Sequence, residues 1–290
     1  MKPIFQSIAL MGREQIPHVE ETLNVLIEYL SKYKINLVLE HDTARLLPHV
    51  KLPVVSGFDL GKHAELLIVV GGDGSLIAAS HFATSQNIPV VGVNRGRLGF
   101  LTDILPHKIE SILSILTGKY REEKRGLLKA EAFFGDKKTG QEVALNDIVL
   151  LSETAGHMVE FEVYINDQFM CTYFADGLII ATPTGSTAHA LSGGGPILHP
   201  QLNAVVLVPM LSHNLSSRPI VIKEDSMIKL VVSESNRRGV QINCDGHKQI
   251  LISKGGYIKI SPDKEKLTLL HPEDYNYFET LRSKLHWEKE

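Results

Sequence analysis

Residues 1 to about 120 carry apolar positions in two alternating rhythms. Leu66-Leu67-Ile68-Val69-Val70 is an unbroken apolar run, partly β-branched, which predicts a strand buried on both faces. Ile4–Leu10, Ile35–Leu39 and Ile88–Val93 repeat that signal. Val19, Leu23, Leu26, Ile27 and Leu30 fall at helical spacing, and Ile109, Ile112, Leu113 and Leu116 mark a further amphipathic helix ended by Gly118. Strands alternating with helices predict an α/β domain with a parallel sheet.

The rhythm changes after the charged stretch Lys119–Arg125. Leu127–Phe134, Val143–Leu151 and Met158–Ile165 read as strands, with alternation clearest at Val159, Phe161, Val163 and Ile165. Gly135-Asp136-Lys137-Lys138 and Asn166-Asp167 supply turns. Leu178–Ala181, Val205–Val208, Met227–Val232, Ile258–Ile260 and Leu267–Leu270 add further strands. Residues 1–122 are therefore expected to form the α/β domain and 123–271 a β-rich, sandwich-like domain. The helical-looking tail within 272–290 is expected to dock back on the first.

Composition sharpens this picture by exclusion. A 290-residue chain is long for one core, in keeping with two domains. A hydrophobic content of 43% and a charged content of 22% are ordinary for a globular protein, and a net charge of -3 leaves no electrostatic footprint for nucleic acid or an anionic membrane. No apolar run reaches membrane-spanning length, and the first residues show no signal h-region. Two cysteines, Cys171 and Cys244, make no disulfide framework, so a cytoplasmic location is expected.

The candidate chemistry starts where the Leu66–Val70 strand meets Gly71-Gly72-Asp73-Gly74-Ser75. Ligands of open α/β sheets bind outside the carboxyl ends of strands. Glycines allow close backbone approach, and free amides at a helix start suit phosphate. An acid among such amides, Asp73 beside Gly71, Gly72, Gly74 and Ser75, suggests phosphoryl transfer with Asp73 acting on the acceptor. A plain helix cap at Asp73 is the bland alternative. The turn is neither a Walker A loop nor a Gly-x-Gly-x-x-Gly fingerprint.

A second dense signal is Asp176–Ala181 running into Thr182-Pro183-Thr184-Gly185-Ser186-Thr187-Ala188, followed by Gly193-Gly194-Gly195-Pro196. Hydroxyls and exposed amides together hydrogen-bond sugars and phosphates. Asn146-Asp147 interrupts an apolar frame; taken alone it reads as an edge or bulge position, and beside the other motifs as a ligand contact. Asn94-Arg95-Gly96-Arg97-Leu98-Gly99-Phe100-Leu101 follows the fourth strand, its Phe100 offering a face for a base or for packing. Arg95 and Arg97 are candidates for phosphate, with surface solvation the default. The thirteen histidines show no metal-ligand spacing, and no Gly-x-Ser-x-Gly elbow occurs.

Gly71–Gly74, Leu98–Leu101, Asn146-Asp147, Asp176–Leu178 with Thr182–Ala188, Gly194–Ile197, Ser217-Arg218-Pro219 and His271–Tyr275 together resemble the bacterial NAD kinase family in order and spacing. The Thr-Pro-Thr-Gly-Ser-Thr-Ala run separates it from lipid kinases of the diacylglycerol and sphingosine type, which have a similar Gly-Gly-Asp-Gly turn. The resemblance implies an α/β domain, a β-rich domain and a site between them. It implies transfer of the ATP γ-phosphate to the 2′-hydroxyl of the adenosine ribose of NAD, with Mg²⁺ or Mn²⁺, in a homo-oligomer (dimer or tetramer). Asp73 would be the proton acceptor and Gly74 a neighbouring contact. Phe100, Asn146, Asp147, Asp176 and Thr187, Ala188, His189, Ala190, Leu191 and Ser192 would hold the dinucleotide, with looser matches at His157, Phe174 and His247. His189 stands where the family usually has Tyr, Phe174 where several relatives have Arg, and His247 in the place of a Gln. A non-catalytic NAD(P) sensor and a lipid kinase are the alternatives; NADP formation from NAD and ATP separates them.

Overall fold

The computed structural model describes residues 3–13, 16–95, 99–154 and 156–287, Lys248 by its backbone alone. The chain folds as two compact units, Met1–Lys124 with Leu267–Glu290, and Arg125–Lys266. The first contains β1 (Ser7–Gly12), α1 (Val19–Leu30), β2 (Asn36–Glu40), α2 (His41–Leu46), β3 (Val54–Val55), β4 (Leu66–Gly71), α3 (Asp73–Ser85), β5 (Val90–Asn94) and α4 (Glu110–Leu116). The chain then continues through β6 (Arg121–Phe134), β7 (Lys137–Ala144), β8 (Asp147–Ser152), β9 (Val159–Ile165), β10 (Gln168–Ala175), β11 (Gly177–Ala181) and the short α5 (His189–Ser192). It ends with β12 (Ala204–Met210), β13 (Ile220–Lys223), β14 (Ile228–Val232), β15 (Val240–Cys244), β16 (Lys248–Ile252), β17 (Tyr257–His271) and α6 (Tyr277–Leu285).

In the first unit the strands lie parallel in the order β5-β4-β1-β2-β3. The carboxyl end of β17 joins β5 in parallel, Leu269 opposite Val90. β4 is flanked on both sides and every residue from Leu66 to Gly71 is buried, which is why its sequence is apolar without alternation. Leu66, Ile68 and Val70 pack in one cluster with Leu23, Leu26 and Leu30 of α1 and Ile112, Ile115 and Leu116 of α4. Burying five to six such side chains at ~1.5–3 kcal/mol each is ample reason for β4 to hold its place, and it ends at the Gly71–Asp73 turn.

The second unit is layered. Six antiparallel strands run β13-β12-β11-β8-β15-β16, and β10-β9-β14 continue onto the first half of β17, also antiparallel. Ile148, Leu150, Leu178, Ile180 and Ile242 of one layer share a core with Phe161, Val163, Leu230 and Ile258 of the other. Asn166 and Asp167, both at positive φ (51° and 62°), close the β9–β10 hairpin, as a two-residue turn requires. The opposite face of β11 is covered too: Ile179 and Ala181 pack against Ala190 and Leu198.

Several elements differ from the sequence reading for identifiable reasons. The charged run before Gly126 is the first part of β6, and the division between the two units falls within it, after Lys124; its inward positions Glu123 and Arg125 are charged, which hides the alternation. The expected strand Val143–Leu151 is two strands, because the chain leaves one ladder after Ala144 and enters another at Asp147. Asn146-Asp147 is thus neither an edge nor a bulge: β8 is an inner strand between β11 and β15. Ile258–Ile260 and Leu267–Leu270 are the two ends of one strand, β17, whose polar middle is solvent-facing. The sequence reading holds no strand at β10, β13, β15 or β16, although β13 has three apolar residues in a row and β15 alternates.

Candidate active site

In the first unit, Asp73 is the first residue of α3, an acid at the helix end whose dipole favours it. Its carboxylate does more than cap. Oδ1 accepts the N–H of Leu101 (2.9 Å), the N–H of Thr102 (3.3 Å) and the hydroxyl of Thr102 (3.3 Å). Among the described residues, Oδ2 accepts only the Phe100 N–H (2.9 Å), which leaves it further acceptor capacity. The donating loop is itself fixed: Asn94 donates to Thr102 Oγ1 (2.9 Å), and Ile104 exchanges backbone bonds with Asn94 and Gly92. Gly99 makes this possible, since a Cβ there would fall on Asp73 Oδ1 and Thr102 Oγ1. At Gly72 and Gly74, by contrast, an added Cβ would meet no atom within 4 Å. Both are therefore open backbone beside a rigid carboxylate.

The remaining calls in this unit divide. Ser75 is buried; its N–H donates to the Gly72 carbonyl (3.0 Å), and its Oγ lies beside Gly71 with no hydrogen-bond partner among the described residues. The Phe100 ring packs with Tyr277 of α6 at 6.4 Å and lies under Lys284 Nζ, which favours packing over base stacking; its N–H is what serves Asp73. Arg95 pairs with Glu21 at 3.7 Å. Arg97 and Leu98 lie outside the described residues.

In the second unit, motifs far apart in sequence converge on Asn146. The Asp245 carboxylate accepts the backbone N–H groups of Leu145 (2.8 Å), Asn146 (2.7 Å) and Asp147 (3.2 Å). Thr182 donates through Oγ1 to the Leu145 carbonyl (2.6 Å) and through its N–H to that of Asn146 (2.9 Å). Gly185 presses on the Asn146 carbonyl so closely that a Cβ would overlap it. Among the described residues the buried Asn146 Oδ1 atom has no hydrogen-bond partner, a cost that a ligand donor would relieve. Burial, followed by the nearby Asp245 charge, pushes the Asp147 carboxyl up to about 7.

The hydroxyl-rich loop spends most of its hydroxyls on itself. Ser186 Oγ donates to the Pro183 carbonyl (2.6 Å) and accepts the Leu198 N–H (2.9 Å), while Thr184 Oγ1 accepts from the buried Arg125 (3.2 Å). Of its hydroxyl residues only Thr187 is half-buried, and its Oγ1 too donates within the loop, to the Thr184 carbonyl (3.2 Å); His189, two positions on, is exposed. Ala190 has its side chain in the core, and its carbonyl accepts the Gly195 N–H (2.9 Å). Leu191 and Ser192 follow on the same short helix, Ser192 exposed. Asp176 occupies the β10–β11 turn, its N–H bonded to the Met210 carbonyl (3.0 Å). His247 is exposed in the β15–β16 turn beside Asp245. His157 and Phe174 line a cavity of about 760 Å³ together with Ser152, Glu160, Arg237 and Arg238.

Sequence reasoning gave no organising role to Asp245, Thr102 or Arg125, and placed Gly99 only within the Leu98–Leu101 motif. Each looks ordinary locally, an acid in a turn or a cation in a charged run, and gains meaning only from its long-range partner. Among the described residues, no group of three or more His, Cys, Asp or Glu gathers to hold a metal ion, and no helix is long and apolar enough to cross a membrane.

Against known proteins, family models of the ATP-NAD kinase N-terminal and C-terminal domains match residues 58–120 and 145–271. A protein of Coxiella burnetii named NAD kinase is 53% identical over 288 residues, covering 99% of this chain and 96% of its own length. A NAD kinase of Legionella pneumophila is 48% identical over 291 residues, covering 99% of this chain and 98% of its own. The crystal structure of yeast NADH kinase complexed with NADH shares the fold at a TM-score of 0.90 and 23% identity, covering 100% of this chain and 90% of that one. That of an Archaeoglobus fulgidus NAD kinase in complex with ATP does so at 0.73 and 22%, covering 96% and 99%.

Proposed function

The chain belongs to the ATP-NAD kinase family, and from that premise we propose that it transfers the γ-phosphate of ATP to the 2′-hydroxyl of the adenosine ribose of NAD, with Asp73 as proton acceptor. The observation that carries the role of Asp73 is its geometry: four donors fix the carboxylate, yet Oδ2 has acceptor capacity left, beside two positions without side chains. A ribose hydroxyl is a weak nucleophile, and phosphoryl transfer depends mainly on alignment and charge neutralisation. As the hydroxyl oxygen bonds to the γ-phosphorus, its proton passes to Asp73 Oδ2. The bond from the γ-phosphorus to the bridging oxygen breaks, and ADP leaves with the electron pair.

Gly71, Gly72 and Gly74 are assigned to the triphosphate through backbone amides. Asn146, Asp147 and Asp176, the 187–192 segment, His157, Phe174 and His247 are assigned to the dinucleotide. The unpartnered Asn146 Oδ1 and the Asp245 clamp support that assignment, since they hold a preformed polar contact. The divalent cation, Mg²⁺ or Mn²⁺, enters with ATP as part of the substrate; Mg²⁺ commonly keeps waters and rides on substrate phosphates. Cys171 and Cys244 form no disulfide, which supports a cytoplasmic location. The edge strand β13 exposes Ile220 and Val221, and Leu215 is 93% exposed, apolar surface that supports a homo-oligomer.

The test is NADP formation from NAD, ATP and Mg²⁺, repeated with Asp73→Asn. Positioned proton transfer contributes ~10²–10⁴-fold, so turnover falls by about that factor while NAD still binds. Turnover near wild type in that variant removes Asp73 from the chemistry. No NADP from the unaltered protein removes the reaction itself and leaves a dinucleotide sensor.

A further inference from the structure

The cavity of about 760 Å³ in the second unit is of a size that takes a nucleotide-sized molecule, and its charge is out of balance. Arg237 and Arg238, consecutive and exposed, both line it, and neither has a hydrogen bond or ion pair among the described residues. One acid shares the wall, Glu160, and its Oε2 already accepts the Ser235 hydroxyl (2.6 Å). Two adjacent cations repel each other, and with a single acid on the wall, already engaged by Ser235, they attract an anion.

The segment that presents them is held still. Asn236 accepts the Glu160 N–H (2.9 Å) and donates to the carbonyls of Glu160 (2.8 Å) and Ser233 (3.1 Å), so every polar atom of its amide is spent on fixing the turn to β9. Ser233 and Ser235 tie the turn to itself (2.8 Å between hydroxyls). A fixed backbone lowers the ordering cost when the arginine side chains engage a ligand. On the same wall Phe174 leaves half of its ring exposed, braced edge-on by His213 at 6.1 Å. A planar apolar face beside two guanidinium forks fits a ring system joined to a phosphate.

We propose that Arg237 and Arg238 bind the phosphate of a nucleotide whose base or nicotinamide packs on Phe174. The assignment rests on the reading that the second unit takes the dinucleotide, but it is tested by binding alone, without turnover.

The experiment is calorimetric titration of the full chain and of Arg237→Gln/Arg238→Gln with NAD and, separately, with ATP, at low and high salt. Loss of two charge-assisted contacts is expected to weaken NAD binding by about tenfold or more and to flatten its salt dependence. Melting temperature stays as in the unaltered protein, because both side chains are exposed and unpaired. Weakening of ATP alone assigns the cavity to the donor and upholds the arginine contact. Unchanged affinity for both nucleotides overturns the proposal while NADP formation by the unaltered protein still upholds the kinase reading. Phe174→Ala, read in the same titration, is expected to weaken the same nucleotide as the arginine pair; weakening of a different one overturns the shared site.

Discussion

Replacing Asp147 with Asn removes a carboxyl that the fold makes costly to ionise. Asp147 is buried at the start of β8, and burial together with the Asp245 charge raises it from 3.8 to about 7. Below about pH 4 the folded and unfolded chains both hold the proton. Between there and about pH 7 the unfolded chain has lost it and the folded chain retains it, so stability falls as pH rises. At ~1.4 kcal/mol per unit, a gap of about three units comes to about 4 kcal/mol, fully imposed above pH 7. The Asp245 clamp on this turn grips backbone N–H groups and survives the substitution. Asp147→Asn is therefore expected to gain on the unaltered protein by about 4 kcal/mol between pH 4 and pH 8, on the order of 10 °C in melting temperature for a unit of this size. Parallel urea or thermal unfolding of both proteins across that range reads the difference directly, since other titrating groups cancel. A difference that stays flat within about 1 kcal/mol refutes the argument that this carboxyl is held protonated by its surroundings.

Three further outcomes follow from other parts of the fold. Gly99→Ala drives a methyl onto the Asp73 carboxylate and the Thr102 hydroxyl; a displacement of ~1 Å costs about 10²-fold in turnover, with NAD affinity by calorimetry retained, and a kcat near wild type refutes the clamp. Burial pulls His271 down, but its hydrogen bonds and charge contacts with Asp103 and Glu123 outweigh that and leave it raised. Its stabilisation is thus complete below about pH 6.5 and is lost as pH rises through the raised value, so His271→Gln should cost ~3–5 kcal/mol at pH 6 and progressively less as pH rises; a cost that stays constant across an alkaline series of melts would sink this account. EDTA is expected to abolish NADP formation without moving the melting temperature, because the cation travels with ATP; unfolding on chelation would instead reveal a structural metal.

The strand–turn–helix around Gly71–Gly74 was legible from sequence because its cause is local: five apolar residues with no alternation, then glycines, then a helical stripe. The β-rich second half was legible for the same reason at β9 and β11, where burial imposes period two or an unbroken apolar run. The order of the motifs likewise sufficed to identify the family. Other features are relations between distant residues and leave no local trace. Asp245 meets Leu145–Asp147 only because β15 pairs with β8, and Thr182 meets them because β11 pairs with β8 on the other side. The hydroxyls of Thr182 and Ser186 read as ligand contacts, yet the fold uses them as internal braces. Arg125 and Glu123 read as surface charge because a lone sequence cannot show that Thr184 and His271 await them. Hydrophobic periodicity reports how each segment sits relative to the core. Which polar groups face one another is decided by strand order and register, and those exist only once the chain has folded.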